Sequence, residues 1–345
     1  MNRRETESIM EQEKNTKTDR LSPISMGEIY ELVYQNRRPV VKGMIYAGAY
    51  LFVGAPKIGK SYFMMQLAYH VSMGLPLWGY EVKKCIVLYL AMEDDNRRIQ
   101  QRLYQMFGVR DISDNLFFST KKIPLSEDLE KELEMFIKEH KDTGLIIIDT
   151  LQKVRGNENE TMSYAKDYDT VSRLKDFSDR NDVCVMIVHH TRKQQSEDAF
   201  DMISGTNGLM GAADCSMILH KEKRTSNKAI LDITGRDQTD QKIYLKRDEE
   251  RLTWEFEKSE SELWKEKPDS LLEAIANFVT CDVKEWSGTP TELAEILSID
   301  IQPNALSMML NVRAGKLLDE YQICYEKGRN HSGRYIKLSL SESKA

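Results

Sequence analysis

The stretch GAPKIGKS at Gly54–Ser61 constrains this chain more than any other. Its spacing, a glycine, four residues and then Gly-Lys-Ser, is that of a phosphate-binding P-loop. Gly54 and Gly59 let the backbone turn so that several N–H groups point at one anion, with Ala55, Pro56, Lys57 and Ile58 as the arc between them. Lys60 places a point charge on the outer phosphates, the Ser61 hydroxyl is a ligand for Mg²⁺, and Tyr62 completes the nucleotide-binding stretch. Such a motif needs a strand before it and a helix after it. AYLFV at Ala49–Val53 is a short apolar run, and SYFMMQLAYHVSMG carries helical spacing at Phe63, Leu67 and Val71. The context is met, so a site for ATP and Mg²⁺ is expected here.

The rest of the chain supplies a matching framework. KKCIVLYLAMEDD, NLFFST, GLIIIDT and DVCVMIVHH are apolar runs, separated by the helix-like NRRIQQRLYQMFG, SEDLEKELEMFIKEHK and MSYAKDYDTVSRLKDFSDR. Strands alternating with helices predict an α/β fold on a mostly parallel sheet. The rhythm then changes: CSMILH, AILDITGRD, KIYLKRD and RLTWEFE predict an antiparallel extension of that sheet. Upstream, ISMGEIYELVYQNRRPVVKGMIYAGAY reads as a short amphipathic helix leading into the P-loop strand. These elements make one ATPase domain over 21–257, after a disordered or loosely helical tail over 1–20 and before a charged linker over 258–268.

Residues 269–345 form a second, smaller domain. DSLLEAIANFV, GTPTELAEIL and PNALSMMLNVRAGKLL predict three helices, the middle one opened by Thr289 as N-cap, Pro290 as first residue and Glu292 closing a capping box. YQICYEKGRNHSGRYIKL predicts two strands around a basic tip. Three helices and then a hairpin is the order of a winged helix-turn-helix. Charge splits within it: Asp269 to Asp300 holds one Lys against seven acids, whereas Pro303 to Leu338 holds six Lys/Arg against three acids. Arg313, Lys316, Arg329 and Arg334 on the third helix and wing are the expected contacts to duplex DNA.

Composition limits the alternatives. With 41% hydrophobic and 30% charged residues among 345, the chain can bury one large core and a small one. A net charge of −6 leaves any nucleic-acid site local. The five cysteines are scattered without a C-x-x-C pair, which fits inert thiols of a reduced, cytoplasmic protein. No apolar run approaches the roughly 18 residues of a membrane helix.

Two further positions carry chemistry. Asp149 ends LIIID, where a Walker B carboxylate holds Mg²⁺. His189 and His190 end a buried strand; side-chain alternation lets only one face the nucleotide, and His190 is the candidate to read the γ-phosphate.

GAPKIGKS, VLYLAMED, LIIIDT and VHHTRK, in that order over residues 25–257, resemble the RecA-like ATPases related to plasmid RepA-type hexameric replicative helicases. The resemblance implies that Lys60 and Ser61 serve phosphate and Mg²⁺, and that Asp149 serves Mg²⁺. It implies His190 as phosphate sensor and Glu93, leaving the strand next to the P-loop strand, as the base that polarises water. Asp94 and Asp95 compete with Glu93 for that role, or cap the following helix. It further implies a homo-oligomeric ring, a hexamer, with ATP at subunit interfaces and single-stranded DNA in the channel, in a plasmid or mobile element. Loop cations Lys153, Arg155, Arg192 and Lys193 would line that channel. The Arg-Gly-Ser signature of these helicases has no arginine counterpart in ISGTNGLMGAAD, so Arg236 in ITGRD is the substitute for a trans-acting arginine finger. A replicative helicase is the first expectation; an ATP-switched DNA-binding regulator of replication or copy control is the alternative.

Overall fold

A computed structural model of the chain describes all residues except 1–20, 35, 124–126, 155–162, 191–206, 222, 224, 262–268, 281, 331–332 and 342–345. The expected N-terminal tail, most of the linker, and Arg155, Arg192 and Lys193 therefore lie outside the described residues. The chain divides into two compact units, Arg37–Lys265, and Met1–Asn36 together with Glu266–Ala345.

The larger unit is built on a nine-stranded sheet. β1 (Pro39–Val41) and β2 (Ile45–Tyr46) make a small antiparallel pair that precedes β3 (Gly48–Gly54), the strand entering the P-loop. Helix α2 (Lys60–Met73) leaves it, followed by β4 (Ile86–Ala91), α3 (Asn96–Phe107), β5 (Leu116–Ser119), α4 (Glu127–Glu139) and β6 (Thr143–Asp149). A single turn, α5 (Leu151–Val154), then precedes α6 (Ser163–Asn181), β7 (Cys184–His190), α7 (Asn207–Ala212) and β8 (Cys215–His220). β9 (Lys228–Gly235), β10 (Gln241–Arg247) and β11 (Trp254–Ser261) close the unit. In space the order is β11-β10-β9-β8-β3-β7-β6-β4-β5.

Three sequence expectations change here. β7 and β6 stand between β3 and β4, so the strand that leads to Glu93 is next to the P-loop strand in the chain and not in the sheet. β8 pairs parallel to β3, and the antiparallel extension begins only at β9. β11 runs on to Ser261, into the stretch expected as linker.

Alternation along the buried strands sorts side chains to two faces. Phe52, Tyr89, Ile147, Met186 and Val188 face α2, where Phe63, Met64 and Leu67 cover them. Leu51, Val53, Leu90, Ile148 and Ile187 face α4 and α6, through Leu129, Leu133, Val171 and Phe177. A sheet covered on both faces explains why β3, β6 and β7 read as continuous apolar runs. The α2 face is the one that matters: carried two residues further, it takes Asp149 from β6 and His190 from β7, and leaves His189 on the other side.

The smaller unit contains α1 (Met26–Glu31), α8 (Ser270–Phe278), β12 (Glu285–Gly288), α9 (Pro290–Ile296), α10 (Pro303–Tyr321), β13 (Ile323–Asn330) and β14 (Gly333–Leu340). Its antiparallel sheet has the order β12-β14-β13, and β12 was not expected from the sequence. The core joins Leu272, Ile275, Leu293, Leu306, Leu310, Leu317, Ile336 and Leu338. The capping box is formed: Glu292 N–H donates to Thr289 Oγ1 at 3.2 Å and Thr289 N–H to Glu292 Oε2 at 2.6 Å. Helix α1 buries none of its residues and belongs to this unit, not to the P-loop domain. Its hold is polar: Asn311 Nδ2 donates to Tyr30 O at 2.7 Å, and Asn36 Nδ2 to Asp319 Oδ2 at 2.9 Å. No helix among the described residues is long and apolar enough to cross a membrane.

Candidate nucleotide site

Backbone sterics fix the P-loop. A Cβ on Gly54 would lie 2.7 Å from Leu219 O on β8, so no other residue fits between the two strands. Gly59 takes φ +112°, and a Cβ there would also press on the Trp254 indole at 3.0 Å. Gly59 is the N-cap of α2 without a side-chain cap, so the first N–H groups of the helix are offered to an anion.

Lys60 is 6% exposed, and its Nζ donates to Gly54 O at 2.7 Å and Ala55 O at 3.1 Å. It also lies 2.9 Å from His190 Nδ1. Burial pushes the Lys60 ammonium down to about 8, against the pull of Asp149 and Glu93. Burial and the Lys60 charge hold His190 below the ordinary imidazole range, so its Nδ1 is an acceptor toward the ammonium.

Asp149, 5% exposed, receives the Tyr89 hydroxyl at 2.9 Å on Oδ2. Burial raises its carboxyl above the usual range, opposed by hydrogen bonds from Ser61 and Tyr89. Thr150 Oγ1 donates to Glu93 Oε1 at 3.2 Å, and Glu93 itself is exposed. The neighbouring acids have other work. Asp95 caps α3 by accepting Arg98 N–H at 2.7 Å, and Asp94 pairs with Arg98 at 3.2 Å and with Arg102. Tyr89 and Thr150 were not expected from the sequence, because nothing local marks pairings between residues 60 and 57 apart.

The donor set suits Mg²⁺. One carboxylate and one serine hydroxyl are hard oxygen ligands. A carboxylate whose ionised form is penalised by burial gains from a cation beside it. Ser61 and Asp149 are the residues that would hold the ion, and bound there it would offset charge on the phosphate oxygens.

Beside the P-loop, the end of β10 and start of β11 make a second cluster. Arg247 lies 4.5 Å from the Tyr62 ring centroid and Arg102 5.2 Å from it. Trp254 is buried and anchored through its backbone to Gln66, N–H to Oε1 at 2.7 Å and Nε2 to its carbonyl at 2.9 Å. Two cations thus flank one aromatic ring beside the phosphate loop.

Arg236 lies elsewhere. It follows β9, whose Gly235 is level with Cys215 and hence with the start of β3, the end of the sheet opposite the P-loop. Its guanidinium donates to Gly211 O and its N–H to Asp214 O at 2.9 Å. Asp214 in turn accepts Ala49 N–H at 2.9 Å and Lys175 Nζ at 2.6 Å, with Arg37 at 3.5 Å. In the smaller unit, Arg313 pairs with Asp269 at 3.0 Å, Lys316 with Glu320 at 3.9 Å and Arg334 with Glu31 at 3.1 Å, while Arg329 is exposed.

Residues 17–196, a little over half of the chain, match the AAA domain family. The chain belongs to that family. This AAA domain is similar in structure to a separately solved ATPase domain, with TM-score 0.52 and 15% identity over 61% of this chain and 85% of that one. It is similar also to a DnaB-like replicative helicase described with its interactions with primase, with TM-score 0.51 and 14% identity. That second match spans 63% of this chain and 58% of the helicase chain. Both likenesses establish the fold, the RecA-like fold of helicase ATPase domains. Among curated proteins none matches this AAA domain.

Proposed function

We propose that the chain is a Mg²⁺-dependent ATPase of the replicative-helicase type, a homo-hexamer that couples ATP hydrolysis to single-stranded DNA. One observation carries the reading: Lys60, Asp149, Glu93 and His190, from four separate segments, converge at one end of the sheet. In this reading the P-loop amides and Lys60 bind the phosphates, and Ser61 and Asp149 hold Mg²⁺. Glu93 takes the proton of the attacking water, with Asp94 and Asp95 committed to α3. Arg236 is too far round its own sheet to serve its own P-loop, so its part in hydrolysis is played across a subunit boundary. The similarity to a DnaB-like replicative helicase supports unwinding as the output.

The order and sheet of the smaller unit support its assignment as a winged helix-turn-helix that binds duplex DNA through α10 and the β13–β14 tip. That surface favours a second reading, a replication or copy-control regulator of a plasmid or mobile element in which ATP switches assembly. Turnover with and without single-stranded DNA, in the full chain and after deletion of 268–345, separates the two. A motor is stimulated by single strands with or without the tail, and unwinds forks. Stimulation by duplex alone, lost with the tail and without unwinding, supports the regulator.

A further inference from the structure

We propose that Tyr89 and Thr150 are reciprocal positioning residues, each strand of the β4–β6 pair supplying one acid and the hydroxyl that orients the other strand's acid. The inference rests on the ATPase reading of the site. β4 and β6 run parallel, with Ala91 level with Asp149. From β4, the Tyr89 hydroxyl reaches Asp149 at the end of β6; from the end of β6, the Thr150 hydroxyl reaches Glu93 beyond the end of β4. Tyr89 and Thr150 are both buried, with 0% and 2% exposure, so neither hydroxyl competes for water.

The chemistry of the donor is the reason to assign function rather than packing alone. A buried tyrosine hydroxyl needs an acceptor, and a strand carbonyl would satisfy it equally. Here it is spent on Asp149, a buried carboxylate at the phosphate end. A neutral donor fixes the carboxylate rotamer while leaving its charge and its remaining lone pairs for a cation, which a lysine or arginine in the same place would neutralise. Thr150 does the same for Glu93, an exposed side chain with freedom to wander from the reacting water. The brace ties the two acids into one rigid unit, so that metal ligand and base keep a fixed separation.

Tyr89→Phe, Thr150→Val and Thr150→Ser in the full chain test this, by thermal melting, by equilibrium binding of a fluorescent ATP analogue with Mg²⁺ or with EDTA, and by turnover. Tyr89→Phe is expected to keep the melting temperature and the Mg²⁺-free affinity, while half-saturation by Mg²⁺ rises about 10- to 100-fold. Thr150→Val is expected to keep both binding measurements and to lose on the order of 10- to 100-fold in kcat, recovered in Thr150→Ser. Wild-type Mg²⁺ half-saturation in Tyr89→Phe with wild-type kcat in Thr150→Val overturns the inference alone. A fall in melting temperature with a parallel loss of Mg²⁺-free binding also overturns it, by showing the hydroxyls to be structural. A wild-type chain that neither binds nor hydrolyses ATP overturns the ATPase reading, and this inference with it.

Discussion

Lys60 Nζ donates to His190 Nδ1 across 2.9 Å, joining the P-loop to the end of β7. The bond is made by a buried ammonium to a neutral ring, so it is broken by whatever offers the ammonium more charge. A γ-phosphate is such a competitor, and its arrival would release His190. His190→Phe, which keeps a ring and removes the acceptor, is expected to retain ATP binding and to lose stimulation by single-stranded DNA. The ratio of turnover with and without DNA measures this; a ratio equal to wild type removes His190 from signalling.

Lys60→Ala is expected to abolish turnover without lowering stability. A lysine whose pKa falls to about 8 on burial is opposed by the fold by on the order of 3 kcal/mol at neutral pH. Truncation relieves that opposition even as it removes two bonds to loop carbonyls. Turnover near wild type would refute the P-loop assignment, and a large drop in melting temperature would refute this account of its burial.

The neighbouring acids Glu93 and Asp94 should separate cleanly. Glu93→Gln keeps shape and loses basicity, so kcat is expected to fall about 10²–10⁴-fold with ATP binding intact. Asp94→Asn instead loosens α3, because Asp94, nearly buried, holds Arg98 and Arg102. Its cost is expected in stability, about 1–3 kcal/mol by denaturant titration. The reverse pattern would move the base to Asp94.

The Asp214 cluster predicts acid sensitivity. Burial opposes the Asp214 charge, but Lys175, the Ala49 N–H and Arg37 outweigh it and hold the carboxyl below its ordinary range. A carboxyl lowered in the folded state contributes stability that is complete above its unfolded value of about 3.9 and is lost as pH falls toward the folded value. Stability of the wild type should therefore fall below about pH 4 more steeply than that of Asp214→Asn, which should be less stable at neutral pH. Parallel pH profiles of melting temperature would contradict this.

For the smaller unit, the ion pairs divide the basic residues. Arg313→Ala breaks a pair with Asp269, which also caps α8, and is expected to cost stability as well as DNA affinity. Arg329→Ala, at an exposed position, is expected to leave melting unchanged and to flatten the slope of log K against log salt by about 0.9 per phosphate contact. An unchanged slope would leave the basic tip as solvated surface.

What the sequence made legible follows chain distance. The P-loop, its strand and helix, the Asp149 strand end and the capping box at Thr289 are each written within about ten residues, and each was readable. Strand alternation even separated His190 from His189. The sheet order was not readable, since nothing local places β7 and β6 between β3 and β4. For the same reason Tyr89, Thr150 and the cluster around Asp214 stayed hidden: their meaning is a partner 39 to 177 residues away. Helix α1 misled because an amphipathic pattern implies a packed face, whereas this helix buries none of its residues and is held through polar contacts.

The place of β7 between β3 and β6 has a mechanical side. Two strand spacings put roughly 10 Å between the backbones that carry the P-loop and Asp149. The strand filling that gap ends at His190, flanked by Lys60 on one side and Asp149 on the other. Beyond it a single residue, Thr191, precedes Arg192 and Lys193. In sequence, His190 is thus only two peptide links from Arg192, the first cation of the next segment.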